Sequence, residues 1–143
     1  MRAYDEAGAE STGVLLDSIM KFWSVTTREQ LVVRANAAPP PNFAALLPAV
    51  LSAADAGDAT ARDVLTEAGV ELATLAKIVI RRLFTDGGAI PLAASGGVFC
   101  NCELIRQIFY DRLCAEYPRV VPHAALVDPA KGALELARKG TRS

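Results

Sequence analysis

The residues best suited to chemistry form a double glycine that separates an apolar run from a helix-like pattern. The run is Ile90 to Ala94, and Ser95-Gly96-Gly97-Val98 follow it. Glycine lacks a Cβ, so its backbone can approach a ligand closely and adopt a positive φ. A helix behind the glycines would offer unpaired N–H groups and a positive dipole end to a phosphate. Because ligands in open α/β sheets bind at the carboxyl ends of strands, these four residues are candidates for a nucleotide or phosphate site.

The same segment also fits a tight turn between strand and helix with no ligand, and the two glycines alone favour that interpretation. No Gly-Lys-Ser/Thr follows them, which excludes a Walker A loop. The G-x-G-x-x-G pattern of dinucleotide-binding folds is absent as well.

The three cysteines give a weaker signal. Cys100-x-Cys102 could form half of a metal or cluster site, but the third cysteine is Cys114 and the one histidine, His123, is distant in sequence. This spacing does not match a zinc site, so no metal ligands are predicted. The odd count without a disulfide pattern fits a reducing compartment.

Composition indicates a single globular domain over residues 1–143. Hydrophobic residues make up 52% of the chain, charged residues 22%, and the net charge is −1. A phosphate-tracking surface needs a basic excess, so the balanced charge argues against a nucleic-acid partner. The sequence shows no apolar run long enough to cross a bilayer and no apolar secretory signal after Met1. We therefore expect a cytoplasmic protein without a membrane partner.

The apolar spacing predicts a helical pair in residues 1–36, a Pro-rich connection in 37–47, and helices with the strand-Gly-Gly-helix unit in 48–143. The predicted helices run from Ser11 or Thr12 to Trp23, from Thr26 or Thr27 to about Ala35, from Pro48 to Ala56, and from the N-cap Asp58 to about Phe84. The predicted buried stripe of the long helix comprises Ala61, Val64, Leu65, Ala68, Leu72, Leu75, Ala76, Val79 and Leu83.

The last third of the chain alternates strands and helices. Ile90 to Ala94 should be a strand buried on both faces, and a second strand is expected around Val120-Val121. The helix between them is marked by Leu104, Ile105, Ile108, Phe109 and Leu113, and a final helix from Pro129 should bury Gly132, Ala133, Leu136 and Ala137. Two short parallel strands are not a self-sufficient sheet. The fold class is therefore helix-rich α/β, as part of a larger α/β domain.

Three segments in this order resemble a known family. They are "AADAGDATARDVLTEAGVELATLAKIVIRRLF", "LAASGGVFCNCELIRQIF" and "ALVDPAKGALELAR". They look like the C-terminal half of BadF/BadG/BcrA/BcrD-type ATPases, most of all the N-acetylglucosamine kinase branch of the actin-like, sugar kinase and Hsp70 superfamily. The resemblance covers Met1 to Lys139, and its motifs are Gly57-Asp58, Gly96-Gly97-Val98 and Gly132-Ala133.

The resemblance implies a partial ribonuclease H-like domain that binds ATP in a cleft between two halves. The Gly96-Gly97 turn would face the adenosine and phosphates, and the loop before Gly132 would lie near the adenine. Asn101 would be either an N-cap, which we favour, or a ribose contact. The implied nucleotide-binding residues are Ser95, Gly96, Gly97, Val98, Asn101 and Gly132. With these flanking segments, a nucleotide site becomes the favoured interpretation of the double glycine.

The complete enzyme would transfer a phosphoryl group from ATP with Mg2+ to an amino sugar. Such kinases need a D-x-G-x-T phosphate loop and a carboxylate base, and the chain contains no D-x-G-x-T. The family's "GRGP" position reads Glu6-Ala7-Gly8-Ala9. We therefore expect the chain to be inactive alone; its catalytic residues are not assigned, and its status as an enzyme and the phosphoryl acceptor are open.

Two alternative functions remain. One is a non-catalytic helical interaction or oligomerisation domain, and the other is a fragment of an iron–sulfur dehydratase activator ATPase, whose cysteine positions Cys100-x-Cys102 does not match. The expected partner is the missing N-terminal half, or a second copy that pairs through the open sheet edge.

Overall fold

A computed structural model describes residues 13–123 and 127–140, of which 69% are helical. The elements are α1 Val14–Phe22, α2 Arg28–Ala35, a 3-10 helix Phe43–Leu46, α3 Leu47–Asp55, α4 Ala59–Leu83, β1 Ile90–Leu92, α5 Gly97–Asn101, α6 Glu103–Glu116, β2 Val120–Pro122 and α7 Pro129–Gly140. No helix in these residues is long and apolar enough to cross a lipid bilayer.

The start of α2 confirms the predicted capping box. The Thr27 side chain accepts a hydrogen bond from the Gln30 backbone N–H at 3.2 Å, which makes Thr27 the N-cap. The Gln30 Oε1 accepts in return from the backbone N–H of Thr26 at 2.9 Å. The described part of α1 begins at Val14; the predicted start at Ser11 or Thr12 lies outside the described residues.

Asp58 is the predicted cap of α4, and the structure confirms it. Its Oδ1 accepts from the Ala61 N–H at 2.9 Å. Its Oδ2 accepts from the Leu15 N–H at 2.8 Å, so the same carboxylate also holds the first turn of α1. The preceding helix α3 is shifted by one residue from its predicted bounds, because Leu47 rather than Pro48 begins it.

The chain divides into two compact units, one up to Leu65 and one from Thr66 onwards, and the boundary falls within α4. In the first unit α1 packs on α3, and its buried apolar side chains are Leu15, Leu16, Leu31, Ala53, Ala54, Ala61 and Leu65. The core cluster of the second unit comprises Ala73, Ile80, Ile90, Phe109, Leu113 and Val120.

The second unit contains a two-stranded parallel sheet in which Ile90 pairs with Val120 and Leu92 with Pro122. Beyond the two strands, the Val127 N–H donates to the Ala94 carbonyl at 2.9 Å. A helix-rich chain with a small parallel sheet is compatible with the predicted helix-rich α/β fragment. The predicted strand Ile90 to Ala94 is shorter in the structure, because β1 ends at Leu92.

The prediction that this strand is buried on both faces is wrong. Ile90 and Val120 are buried against α4 and α6. Their neighbours Pro91 and Val121 point away from this core and are exposed. Within the described residues, therefore, only one face of the sheet is covered.

The single helix predicted after the double glycine is two helices. Cys102 has φ −126° and ψ 100°, which interrupts the helix between α5 and α6. Its Sγ accepts from the Ile105 N–H at 3.5 Å, so Cys102 is the N-cap of α6. The predicted N-cap role of Asn101 is wrong, because Asn101 is the last residue of α5.

Two predicted buried faces are also wrong. Gly132, Ala133, Leu136 and Ala137 of α7 are all exposed, and Leu136 is 72% exposed. On α4 the predicted stripe is correct at Ala61 and Leu65 but fails at Leu75, Val79 and Leu83, which are 60%, 51% and 70% exposed. Leu72 and Ala76 of the same α4 stripe do pack against the core of the second unit, so that stripe is only partly covered.

Candidate functional site

The backbone of the double glycine confirms that the turn needs glycine. Gly96 has φ 98° and ψ 161°, a combination open essentially to glycine alone. A Cβ built on Gly96 would have no atom of residues 13–123 or 127–140 within 4 Å. The residues from Ser95 to Val98 are all exposed. The loop is thus an exposed backbone surface with free space in front of it.

The described residues give no structural reason for glycine at position 97. It begins α5 without a left-handed φ, and an added Cβ would lie 3.9 Å from the Asn101 Nδ2, an ordinary contact. Gly69 in α4 is the contrast, because a Cβ there would lie 3.0 Å from the Ile108 side chain. Neither packing nor backbone conformation explains the second glycine of the loop.

Three interactions hold the loop and α5 in place. The Phe99 ring packs edge-to-face on Phe109, with ring centroids 5.1 Å apart. The Arg106 Nη1 donates to the Phe99 carbonyl at 2.6 Å. The Asn101 Nδ2 donates to the Gly97 carbonyl at 2.8 Å. The loop is therefore positioned by the core of the second unit and is suited to a preorganised backbone site.

The helix behind the loop is shorter than the sequence predicts. Since Cys102 ends α5 at Asn101, only five residues follow the turn. A helix macrodipole sums aligned peptide dipoles, so α5 adds little charge attraction of its own. The case for a phosphate near this loop depends on the exposed glycine backbone and its place at the sheet edge.

The second predicted ligand-binding segment leaves the same edge of the sheet. The strands are parallel, so the double glycine after β1 and the chain after β2 emerge at the same end. The bond from Val127 to Ala94 places the segment leading into α7 beside the residue that precedes Ser95. The Asp128 Oδ1 accepts from the Ala130 N–H at 2.9 Å at the start of α7. Gly132 follows; it is exposed, and an added Cβ would have no atom of another described residue within 4 Å.

Five of the six predicted residues are neighbours in the sequence, from Ser95 to Asn101, and Gly132 lies in α7, the helix after the neighbouring strand β2. The side chains from Ser95 to Val98 carry no ionisable group. Such a loop can donate backbone hydrogen bonds to an anion, but it cannot act as a general base. Sequence reasoning missed Arg106, since nothing in its spacing indicates that it binds the Phe99 carbonyl.

The cysteines do not act together in the structure. Cys100 is exposed, whereas Cys102 is 2% exposed and caps α6. Within residues 13–123 and 127–140, no three His, Cys, Asp or Glu side chains lie close enough together to hold a metal ion. Cysteine is not among the preferred N-cap residues, so no sequence signal pointed to the capping role of Cys102.

Comparison with known proteins gives one informative similarity. No family model matches the chain, and no solved structure matches it. The chain is similar to an N-acetylmuramic acid/N-acetylglucosamine kinase of Clostridium acetobutylicum, with 27% identity over 140 residues. The alignment covers 96% of this chain and 45% of that kinase, so the chain spans less than half the length of the relative. The chain is thus distantly related to a sugar kinase.

Proposed function

We propose that this chain is the nucleotide-binding part of a sugar kinase-like ATPase with a partial ribonuclease H-like fold. The observation that carries the proposal is the exposed glycine pair at the carboxyl end of a parallel strand, where the described residues give no structural reason for glycine at position 97. The distant similarity to a kinase supports it.

The proposed role of the loop is to bind the phosphates of ATP through backbone N–H groups. The residues from Ser95 to Val98 would form this surface, with Gly132 on the adenine side. The Nδ2 of Asn101 is occupied by the Gly97 carbonyl, so Asn101 would reach a ribose hydroxyl through its Oδ1. These contacts position a nucleotide and leave the proton transfer to residues outside this chain.

The reaction proposed for the complete enzyme is phosphoryl transfer from ATP with Mg2+ to an amino sugar. Phosphoryl transfer needs positioning from both sides of the transferred group and a metal clamp. The second wall of the site would come from another part of a longer polypeptide or from a partner chain. The chain alone is proposed to be inactive.

The test is a titration with a fluorescent ATP analogue, with and without Mg2+, on the wild-type chain and on Gly97→Ala. Alanine favours a helix over glycine by about 0.5–1 kcal/mol, so the variant should not melt below wild type. Its affinity for the analogue should fall at least about tenfold, the equivalent of 1.4 kcal/mol, because the methyl group would stand between the backbone and the phosphates.

The matched control is Gly88→Ala, at the amino end of the sheet. An added Cβ there would lie 3.6 Å from the Asp86 side chain and at no closer contact, so its affinity should equal that of wild type. The proposal is wrong if wild type fails to bind the analogue at millimolar concentration, or if Gly97→Ala binds as tightly as wild type.

A non-catalytic interaction domain is the second candidate function. The observation that favours it is the exposed apolar face of α4, together with an α7 that buries no residue. The iron–sulfur activator is not favoured, because Cys102 is buried as a helix cap.

A further inference from the structure

The second half of α4 is apolar on two sides, and the part of the chain that the structure describes covers only one of them. Ala73 and Ile80 face the core of the second unit. On the other side Leu75, Ile78, Val79 and Leu83 are 60%, 42%, 51% and 70% exposed. A helix with apolar residues on both sides is typically buried on both, and an exposed apolar patch of this kind marks an interaction surface.

The exposed side has the spacing of a coiled-coil seam. Glu71, Leu75, Ile78 and Arg82 follow one another at intervals of four, three and four residues, as a and d positions do. We call these four residues the α4 seam. Two apolar side chains form its centre, and opposite charges stand at its ends.

The two charged ends of the α4 seam have no partner in the described chain. Glu71 and Arg82 are exposed, and neither forms an ion pair or side-chain hydrogen bond with another described residue. They lie about 16 Å apart along the helix axis, at a rise of about 1.5 Å per residue. This distance is too long for them to pair with each other.

We propose that the α4 seam is a homodimer interface in which two copies of α4 pair antiparallel across a two-fold axis. Leu75 then packs against the partner's Ile78, and Glu71 faces the partner's Arg82. A two-fold interface repeats every contact, so two ion pairs flank four central apolar side chains.

The charge pattern selects this partner and this direction. A parallel pairing of the same helices would set Glu71 beside the partner's Glu71 and Arg82 beside the partner's Arg82, and like charges repel. Only the antiparallel arrangement matches both ends of the seam with opposite charges. A second copy of this chain therefore satisfies the surface without any other protein.

The first test measures the mass of the chain by light scattering and analytical ultracentrifugation. Wild type should be a dimer at micromolar concentration, and Leu75→Asp should be a monomer with an unchanged circular dichroism spectrum. Leu136→Asp is the matched control, because Leu136 is 72% exposed on α7 and lies outside the seam; this variant should remain a dimer.

The second test exchanges the charges of the seam and does not depend on the Asp variant. Glu71→Arg and Arg82→Glu should each raise the dimer dissociation constant at least about tenfold, since each replaces two attractive pairs by two repulsive ones. The double variant should return to within about threefold of wild type, and 1 M salt should shrink the difference.

Three results would overturn the proposal. The first is a monomeric wild type at about 100 µM, a concentration at which even weak complexes form. The second is a dimer that Leu75→Asp leaves intact. The third is a double charge exchange that fails to recover the dimer. A dimer that survives Leu75→Asp would place self-association elsewhere, for example at the open sheet edge.

Discussion

Three glycines of the second unit show different reasons for the same residue. Gly69 leaves room for close helix packing, because an added Cβ would lie 3.0 Å from Ile108 and 3.1 Å from the Ile105 carbonyl. At position 96 the backbone conformation requires glycine. Gly97 meets neither requirement. The functional hypothesis therefore depends most on Gly97, where a substitution changes the exposed surface without a structural penalty.

The side chain of Asp58 accepts hydrogen bonds from two helices. Its two carboxylate oxygens accept from Ala61 in α4 and from Leu15 in α1. The predicted capping role explains the first bond, whereas the second joins residues 43 positions apart. A single sequence contains no signal for that second bond.

Asp58→Ala should destabilise the chain more than the loss of an ordinary cap. A cap is worth about 1 kcal/mol, and leaving the part-buried Leu15 N–H unpaired adds about 1–3 kcal/mol. We expect a loss of about 2–4 kcal/mol in the free energy of unfolding, measured by urea denaturation.

The control is Asp86→Ala, which removes a single exposed bond to the Gly88 N–H and should cost under about 1 kcal/mol. Equal losses in the two variants would contradict the double role of Asp58.

At the scale of elements, sequence reasoning located the helices well. Periodicity and caps depend on residues within one or two turns, so α2 and α4 begin at their predicted caps. Burial was predicted less well. Periodicity shows which residues share a face, but not whether another element covers it, and so Leu75 and Leu136 are exposed. The break at Cys102 was missed because a thiol is a rare cap.

The α4–α6 contact carries a pH-sensitive ion-pair network. The Glu116 carboxylate accepts from Lys77 Nζ at 2.5 Å and from Arg81 Nη2 at 2.9 Å. These hydrogen bonds, led by that of Lys77, hold the pKa of Glu116 below its ordinary value. The Arg81 Nε also donates to the Tyr117 hydroxyl at 2.9 Å, which helps to fix the network.

The stability that Glu116 contributes should disappear in acid. Since its pKa is lower in the folded chain than in the unfolded one, the contribution is complete above the unfolded pKa of about 4.3 and is lost as the pH falls through the folded value. Melting temperatures of wild type and Glu116→Gln should therefore differ at pH 7 and converge towards pH 3.

Asp111→Asn provides the control for this comparison. Asp111 lies on the same helix, is exposed and has no ion pair with another described residue. The Asp111→Asn variant should have a melting temperature close to that of wild type at every pH between 7 and 3. A constant gap between Glu116→Gln and wild type down to pH 3 would show that the network does not depend on the carboxylate charge.

At the scale of the whole molecule, the local structure of the candidate loop was predictable, but the cover of the sheet that carries it was not. The double glycine, its flanking strand and the following helix all come from local sequence, and the structure places them at one end of a parallel sheet. The partial cover of the sheet was not predictable, because the pattern of one strand does not show whether another element covers each face, and Pro91 and Val121 are exposed. The open edge and face are what a fragment of a larger α/β domain would present.

The chain alone should bind a nucleotide without turning it over. It lacks the D-x-G-x-T loop and the residues from Ser95 to Val98 contain no base, so no group is positioned to take a proton from a sugar hydroxyl. A coupled assay with ATP, Mg2+ and N-acetylglucosamine should give no product above background. The assay can be repeated after adding in trans the part of the Clostridium acetobutylicum kinase that lies outside the aligned 45%, as the proposed second wall of the site. Any activity recovered with wild type should then fall with Gly97→Ala but not with Gly88→Ala. Turnover by the chain alone would contradict the division of the site between two parts and would require a catalytic base within these 143 residues.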